Sequence, residues 1–311
     1  TRLDLPSAAL RDEQRHDHGA IGHAEFVVEI LEVIFDGIAR NSDACGDLQV
    51  RPAVGQSREE FKAIVTAEQP EAPSYFVHDA ILNRQERPNL AETLSESLNA
   101  LSLEEVLRLK NQGAQLLDVR EAIDFEGAHL AGAINIGIQG KYATWCGTVL
   151  DHHHPIVVIA DVGTEEEAVM RLGRIGFDNV AGYLAGGMDA LRDRPDLVLK
   201  IDRITAVALS EQLTTTAAPT VVDVRSEKEW AAGHIAGSVN IPLNHLLDRA
   251  KEIPKDRSVV VHCEGGYRSA IAASVFANAG RPDVLDTVGG FKAWAASKLP
   301  VKVETTISAQ P

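Results

Sequence analysis

Cys263, Gly265, Gly266 and Arg268 stand close together in the stretch VVVHCEGGYRSA, from Val259 to Ala270. Their types suit one kind of chemistry. A cysteine thiolate is a strong nucleophile toward an electron-poor centre. Two glycines let a backbone curl until successive N–H groups point inward and form an anion nest. An arginine and the positive end of a following helix add to the same field. These donors favour thiolate over thiol and cradle the anion that the sulfur becomes. The competing reading of Cys263 is a small buried hydrophobe, the usual place of a free cysteine. The glycine pair, the arginine and the position between a strand and a helix weigh against it.

The flanking segments position that loop. Val259–Val261 is a short β-branched run that reads as a buried strand, and SAIAASVFANAG (269–280) reads as a helix stopped by Gly280. Strand, loop and helix in that order place the loop at the carboxyl edge of a parallel sheet, where ligands bind in open α/β folds. Upstream, Val221–Val224 reads as a second strand and LNHLLDRAKEI (243–253) as a helix.

The whole unit occurs twice. LLDVREAIDFEGAHLAGAINI (116–136) aligns with VVDVRSEKEWAAGHIAGSVNI (221–241). Asp118 pairs with Asp223, Arg120 with Arg225, His129 with His234, Gly132 with Gly237 and Asn135 with Asn240, all at one offset. Further on, LAGGMDAL (184–191) matches TVGGFKAW (287–294). A period of roughly one hundred residues is that of a duplicated domain, since solenoid repeats are much shorter. Copy one opens with SLEE, a capping box of Ser102 and Glu105 ahead of a helix ending near Gly113, and its strands follow at Leu116–Val119 and Ile156–Ile159. Strands alternating with helices predict an α/β fold: parallel sheets with helices on both faces. The predicted organisation is an amino-terminal appendage over 1–97, a first domain over 98–199 and a second over 200–311.

Composition narrows the function. The formal net charge of −15 argues against nucleic-acid or anionic-membrane partners, because phosphate contacts need clustered Lys and Arg. The three cysteines, Cys45, Cys146 and Cys263, are too few and too scattered for a disulfide framework, which points to a reducing, cytoplasmic setting. Three glutamates interrupt AEFVVEILEVIF (24–35), so that stretch reads as a buried or amphipathic helix, not a membrane span.

These marks resemble the rhodanese family. Asp-Val-Arg ends a strand in both copies (118–120 and 223–225), GHIAGSVNIP (233–242) and GGFKAWAASKLPV (289–301) follow in the second, and CEGGYR (263–268) fits the family's Cys-x-x-Gly-x-Arg loop. The resemblance implies two tandem rhodanese-like domains and a sulfurtransferase. It makes Cys263 the catalytic residue, which takes the outer sulfur of thiosulfate or of a thiol persulfide such as glutathione persulfide and passes it from a Cys263 persulfide to a thiol acceptor or cyanide. By the same resemblance the backbone from Glu264 through Gly265, Gly266, Tyr267 and Arg268 to Ser269 holds the terminal sulfur. Arg268 faces the anionic substrate, and Glu264 and Tyr267 shape entry. No cofactor is implied. Cysteine phosphatases of the related dual-specificity kind carry a loop one residue longer, Cys-x5-Arg, to fit a phosphate; the Cys-x4-Arg spacing here favours sulfur. A persulfide carrier, sensor or interaction module remains the alternative to an enzyme.

Copy one departs from the pattern. Ala160 stands where Cys263 stands in copy two, and Glu165 where Arg268 stands. With Glu165–Glu167 at its helix start, copy one is expected to be catalytically inert and to serve as structure or as a partner surface. Asp118, Asp223 and their arginines are expected to anchor strand ends, and His129 and His234, present in both copies, to be structural. Cys146 in TWCGT has no glycine nest and is expected to pack. DHHHP (151–155) reads as a surface loop.

Residues 44–90 resemble the last stretch of metallo-β-lactamase-fold proteins fused to paired rhodanese domains, a group that includes persulfide dioxygenases. The hydrolase signature His-x-His-x-Asp-His is absent, and RHDHGAIGH (15–23) supplies only His16, His18 and His23. The appendage is therefore expected to be an incomplete remnant of that domain, without a metal site.

Overall fold

The computed structural model describes residues 97–304. The amino-terminal appendage, its histidines and Cys45 lie outside the described residues. No helix among the described residues is long and apolar enough to cross a membrane.

Each copy is a five-stranded parallel sheet. In copy one, β1 (Ala100–Leu101), β2 (Gln115–Asp118), β4 (Ala133–Asn135), β5 (Ile156–Ile159) and β6 (Val180–Leu184) lie in the order β1-β6-β5-β2-β4. A short antiparallel pair, β3 (His129–Leu130) with β7 (Val198–Leu199), closes the unit. Copy two repeats the plan. Its strands β8 (Asp202–Ile204), β9 (Thr220–Asp223), β11 (Val239–Asn240), β12 (Val259–His262) and β13 (Leu285–Thr287) lie in the equivalent order β8-β13-β12-β9-β11, with β10 (His234–Ile235) paired to β14 (Val301–Lys302). The helices of copy one are α1 (Leu103–Asn111), α2 (Ala122–Gly127), α3 (Tyr142–Val149) and α4 (Glu165–Gly173). Those of copy two are α5 (Ala206–Gln212), α6 (Glu227–Ala232), α7 (Leu246–Arg249), α8 (Tyr267–Asn278) and α9 (Gly290–Ala296).

The β-branched runs become strands because both sheet faces are covered. On β9, Val221 faces one apolar cluster with Ile204, Leu209, Val260 and Trp294, while Val222 faces another with Val259, Val261 and Ile271. Alternation along one strand thus buries residues on both sides, which is why these strands read as continuous apolar runs. The capping box of Ser102 and Glu105 forms as the SLEE pattern predicts. A second one, Ser226 with Glu229, starts α6. The predicted helix over 243–253 is broken instead. It divides into 3₁₀ turns at Leu243–His245 and Ala250–Glu252 around the single turn of α7.

The two copies share one core. The cluster that holds Val261, Cys263, Ile271 and Phe276 of copy two is continuous with Leu117, Ile136, Tyr142 and Ile159 of copy one. Helix α8 makes the join, running along the edge strand β4. The outward N–H of Asn135 on β4 donates to Ser274 Oγ at 3.1 Å, and Asn278 Nδ2 donates to the carbonyl of Gly132 at 3.2 Å. A sheet edge that would otherwise expose free donors is thereby covered.

The Asp-Val-Arg segments are anchors, as their charge pattern predicts. Arg120 Nη2 donates to buried Asp118 Oδ2 at 2.7 Å and to the half-buried carbonyl of Ala128 at 2.8 Å. His129 stacks on Phe125, and His234 stacks on Trp230, each with its Nδ1 at 2.9 Å from the carbonyl of that aromatic residue. The two histidines hold helix to strand. In the DHHHP loop, His154 pairs with Asp151 at the surface, whereas His152 stacks on Phe177, so the loop is only partly solvated. Removing one member of a buried ion pair leaves the other charge uncompensated. Asp118→Ala is expected to lower the unfolding free energy by about 3–5 kcal/mol in urea titrations; a loss below about 1 kcal/mol would show that the pair is not the anchor described.

Candidate active site

Strand β12 delivers Cys263 to the carboxyl edge of the second sheet, next to the end of β9, with which His262 and Asp223 are in register. The loop from Cys263 to Gly266 then turns into α8. Gly266 has φ +120°, a conformation that side-chain-bearing residues rarely adopt, and its N–H points at Cys263 Sγ at 3.1 Å. Cys263 keeps only 2% of its surface exposed. Its sulfur lies at the floor of the loop, with a polar donor aimed at it and Glu264 and Gly265 exposed above it. A Cβ built on Gly265 or Gly266 would meet no atom within 4 Å, so the glycines open the loop's outer side. Of the two glycines, only Gly266 has a positive φ.

A second glycine pair sets the direction of the loop amides. Gly289 and Gly290 both have positive φ, +70° and +59°. A Cβ on Gly290 would lie 2.4 Å from the carbonyl oxygen of Cys263. This close approach lets the first amides of α9 reach the loop: Phe291 N–H donates to Cys263 O at 2.7 Å, and Lys292 N–H to Glu264 O at 3.0 Å. In a trans peptide the N–H points opposite to its C=O. With both carbonyls turned to α9, the amides of Glu264 and Gly265 face away from it. The sequence carried this signal in the matched LAGG and TVGG segments, but only as a repeat marker.

Two arginines flank the loop, and both are paired. Arg225 binds Asp223 through Nε and Nη2, the carbonyl of Gly233 at 2.7 Å and Glu264 Oε2 at 3.2 Å, and its guanidinium lies 4.0 Å over the ring of Phe291. It ties the end of β9, the end of α6, the loop and α9 together. Arg268 makes a two-pronged bond to Glu229, both distances 2.7 Å. That pair first of all, with Cys263 as a further partner, keeps Arg268 protonated. Sequence reading aims Arg268 at an anionic substrate and assigns Glu229 no part. The structure has the guanidinium held by Glu229, the same carboxylate that caps α6 through Ser226.

Tyr267 also lies elsewhere than the sequence suggests. Its ring turns from the loop mouth into copy one, where its hydroxyl donates to the carbonyl of Gly137 at 2.7 Å. Ser269 Oγ donates to Gly266 O at 3.0 Å, closing the first turn of α8. The neighbouring Asp286 is held above the usual carboxylate range, chiefly by burial and then by Glu126. Cys146 is fully buried, and burial pushes its thiol up, which leaves it a packing residue. In copy one the glycine approach survives, with alanine in place of the cysteine. A Cβ on Gly187 would meet the carbonyl of Ala160 at 2.6 Å, in the place where Gly290 meets Cys263. Among the described residues no cluster of His, Cys, Asp and Glu could hold a metal ion.

The Arg268 guanidinium, followed by Ser226, holds the Glu229 carboxyl down to about 2 from an ordinary 4.5. A carboxyl lowered by folding contributes stability above its unfolded pKa, and that contribution is lost as pH falls through the folded value. Glu229→Gln is therefore expected to lower the melting temperature at pH 7, with the deficit shrinking as pH falls from about 5 toward about 2. A deficit that stays constant over that range would remove Arg268 as its cause.

Residues 102–194 and 205–297 each match the family description Rhodanese-like domain, together more than half of the chain. A protein described as a sulfurtransferase from Allochromatium vinosum is 37% identical over 101 residues, 32% of this chain and 94% of that protein. Thiosulfate sulfurtransferase 16, chloroplastic, from Arabidopsis thaliana is 31% identical over 93 residues, 26% of this chain and 78% of its own length. The crystal structure of a rhodanese-related protein from Thermoplasma volcanium is 35% identical, covering 33% of this chain and 99% of that one, with a TM-score of 0.31. With both copies matched and the second one carrying a cysteine where the first has alanine, the chain belongs to the rhodanese family as a tandem pair.

Proposed function

We propose that this chain is a sulfurtransferase whose carboxy-terminal copy, over 200–311, works through a persulfide on Cys263, while the copy over 98–199 is inert. The observation that carries the reading is the Gly266 N–H set 3.1 Å from Cys263 Sγ at the carboxyl edge of the sheet. The sulfurtransferase relatives support the class of reaction.

The chemistry follows from the loop. The Cys263 thiolate attacks the outer sulfur of thiosulfate or of a thiol persulfide. A new Cys263 S–S bond forms as the donor's S–S bond breaks, and the leaving group departs with the electron pair as sulfite or a thiolate. The charge now sits on the outer sulfur, within reach of the loop amides from Glu264 to Ser269 and of the amino end of α8. An acceptor thiolate or cyanide then attacks that outer sulfur, and the Cys263 thiolate is restored. No net oxidation occurs and no cofactor is needed. The loop's task is to hold one negative charge at two successive positions, on Sγ and then one sulfur further out.

The test is intact-protein and peptide mass spectrometry after incubation with thiosulfate or glutathione persulfide. One added sulfur atom is expected on Cys263, removable by cyanide and absent in Cys263→Ala. Steady turnover to thiocyanate or an acceptor persulfide, abolished in the same variant, separates an enzyme from a carrier that is loaded once. An unmodified Cys263, or cysteine-dependent hydrolysis of an aryl phosphate in place of sulfur uptake, would refute the proposal.

A further inference from the structure

The geometry points to a task for the inert copy: we propose that it positions the Cys263 loop through a recess of its own that receives Tyr267. This rests on Cys263 being the nucleophile. Tyr267 is the first residue of α8 and follows Gly266, whose N–H faces the sulfur. Its side chain reaches into copy one. The hydroxyl donates to Gly137 O, and the ring packs against Gly137 and Gly140. A Cβ on Gly140 would fall 2.3 Å from Tyr267 Cζ and 2.5 Å from Cε2, and one on Gly137 would fall 3.3 Å from Cε2. The ring thus occupies the space that side chains at those two positions would need.

The recess belongs to copy one by construction. Gly137 and Gly140 lie between β4 and α3, in NIGIQG, where the aligned segment of copy two reads NIPLNH, with Pro242 and His245 in their places. Tyr267 itself aligns with Thr164 in copy one. The contact therefore breaks the symmetry of the duplication on both sides. The floor of the recess is held by copy one alone: Ile138 N–H donates to Val119 O at 2.9 Å, and Arg171 Nη1 donates to Ile138 O at 2.6 Å. Burial above all, and then Cys146, holds the proton on the phenol, with Arg171 and Glu121 acting in opposite senses, so it stays a donor throughout the working pH range. A rigid surface in one copy thus fixes the residue next to the amide that contacts the sulfur in the other. Tyr267 is in this view a positioning residue, coupled to Sγ through the Gly266–Tyr267 peptide.

Gly140→Ala tests this without altering any atom of copy two. Gly140 has no positive φ, so the substitution acts by pushing the ring. The measurement is the rate of Cys263 alkylation by iodoacetamide as a function of pH, read by peptide mass spectrometry. It reports the thiol whether or not sulfur is transferred. Sulfur uptake from thiosulfate by the unaltered chain, run beside it, tests the sulfur-transfer reading separately. In folded Gly140→Ala we expect alkylation near pH 7 to slow about tenfold, because the Gly266 N–H that faces the sulfur is displaced. Tyr267→Phe keeps the ring and loses one hydrogen bond, so a smaller slowing, about threefold, is expected. Once the ring is gone, the recess should be indifferent: Gly140→Ala added to Tyr267→Ala should change nothing further. Native alkylation profiles in folded Gly140→Ala overturn the proposal, as does additivity in the double variant. Should Gly140→Ala not fold, Tyr267→Phe decides alone, and a native profile there overturns it equally.

Discussion

The site depends on one close approach, the backbone of Gly290 against the carbonyl of Cys263. No residue with a side chain fits there, because its Cβ would lie 2.4 Å from that oxygen. The approach lets two amides of α9 take the carbonyls of Cys263 and Glu264. With those carbonyls engaged, the amides of Glu264 and Gly265 face away from α9. The loop's peptide orientation is thus set from outside the loop, by a helix more than twenty residues further along the chain.

The same contact exists in copy one, where Gly187 approaches Ala160. The glycine approach is thus common to both copies, whereas the amide bonds differ: Asp189, which aligns with Lys292, donates its N–H to Gly186 O. Copy one keeps the approach and lacks the thiol. Its Glu165–Glu167 at the start of α4 suit the helix dipole and would repel an anionic donor.

Charge around Cys263 is balanced within the protein. Arg225 is shared by Asp223 and Glu264, and Arg268 by Glu229. Beside the sulfur stand Arg268, a cation already paired with a carboxylate, and the Gly266 N–H, which donates to it directly. The apolar core that runs unbroken from one copy to the other adds stiffness, since packed interiors resist small displacements.

Much of this was legible in the chain itself. The duplication, the parallel sheets, the capping box at Ser102, the Asp-Val-Arg anchors and the cysteine at the mouth of a glycine loop all follow from local pattern, because side-chain period, turn chemistry and spacing act over a few residues. Other features were settled by tertiary structure alone. Arg268 turned to Glu229 although the residues lie 39 positions apart. Gly290 came to rest against Cys263, and Tyr267 crossed to Gly137 over 130 positions. A sequence states which residues can donate, accept or stay small; it does not state which distant surface will be pressed against them. That choice is made when two sheets and the helix between them close a common core, and it fixes where a side chain with several possible partners finally points.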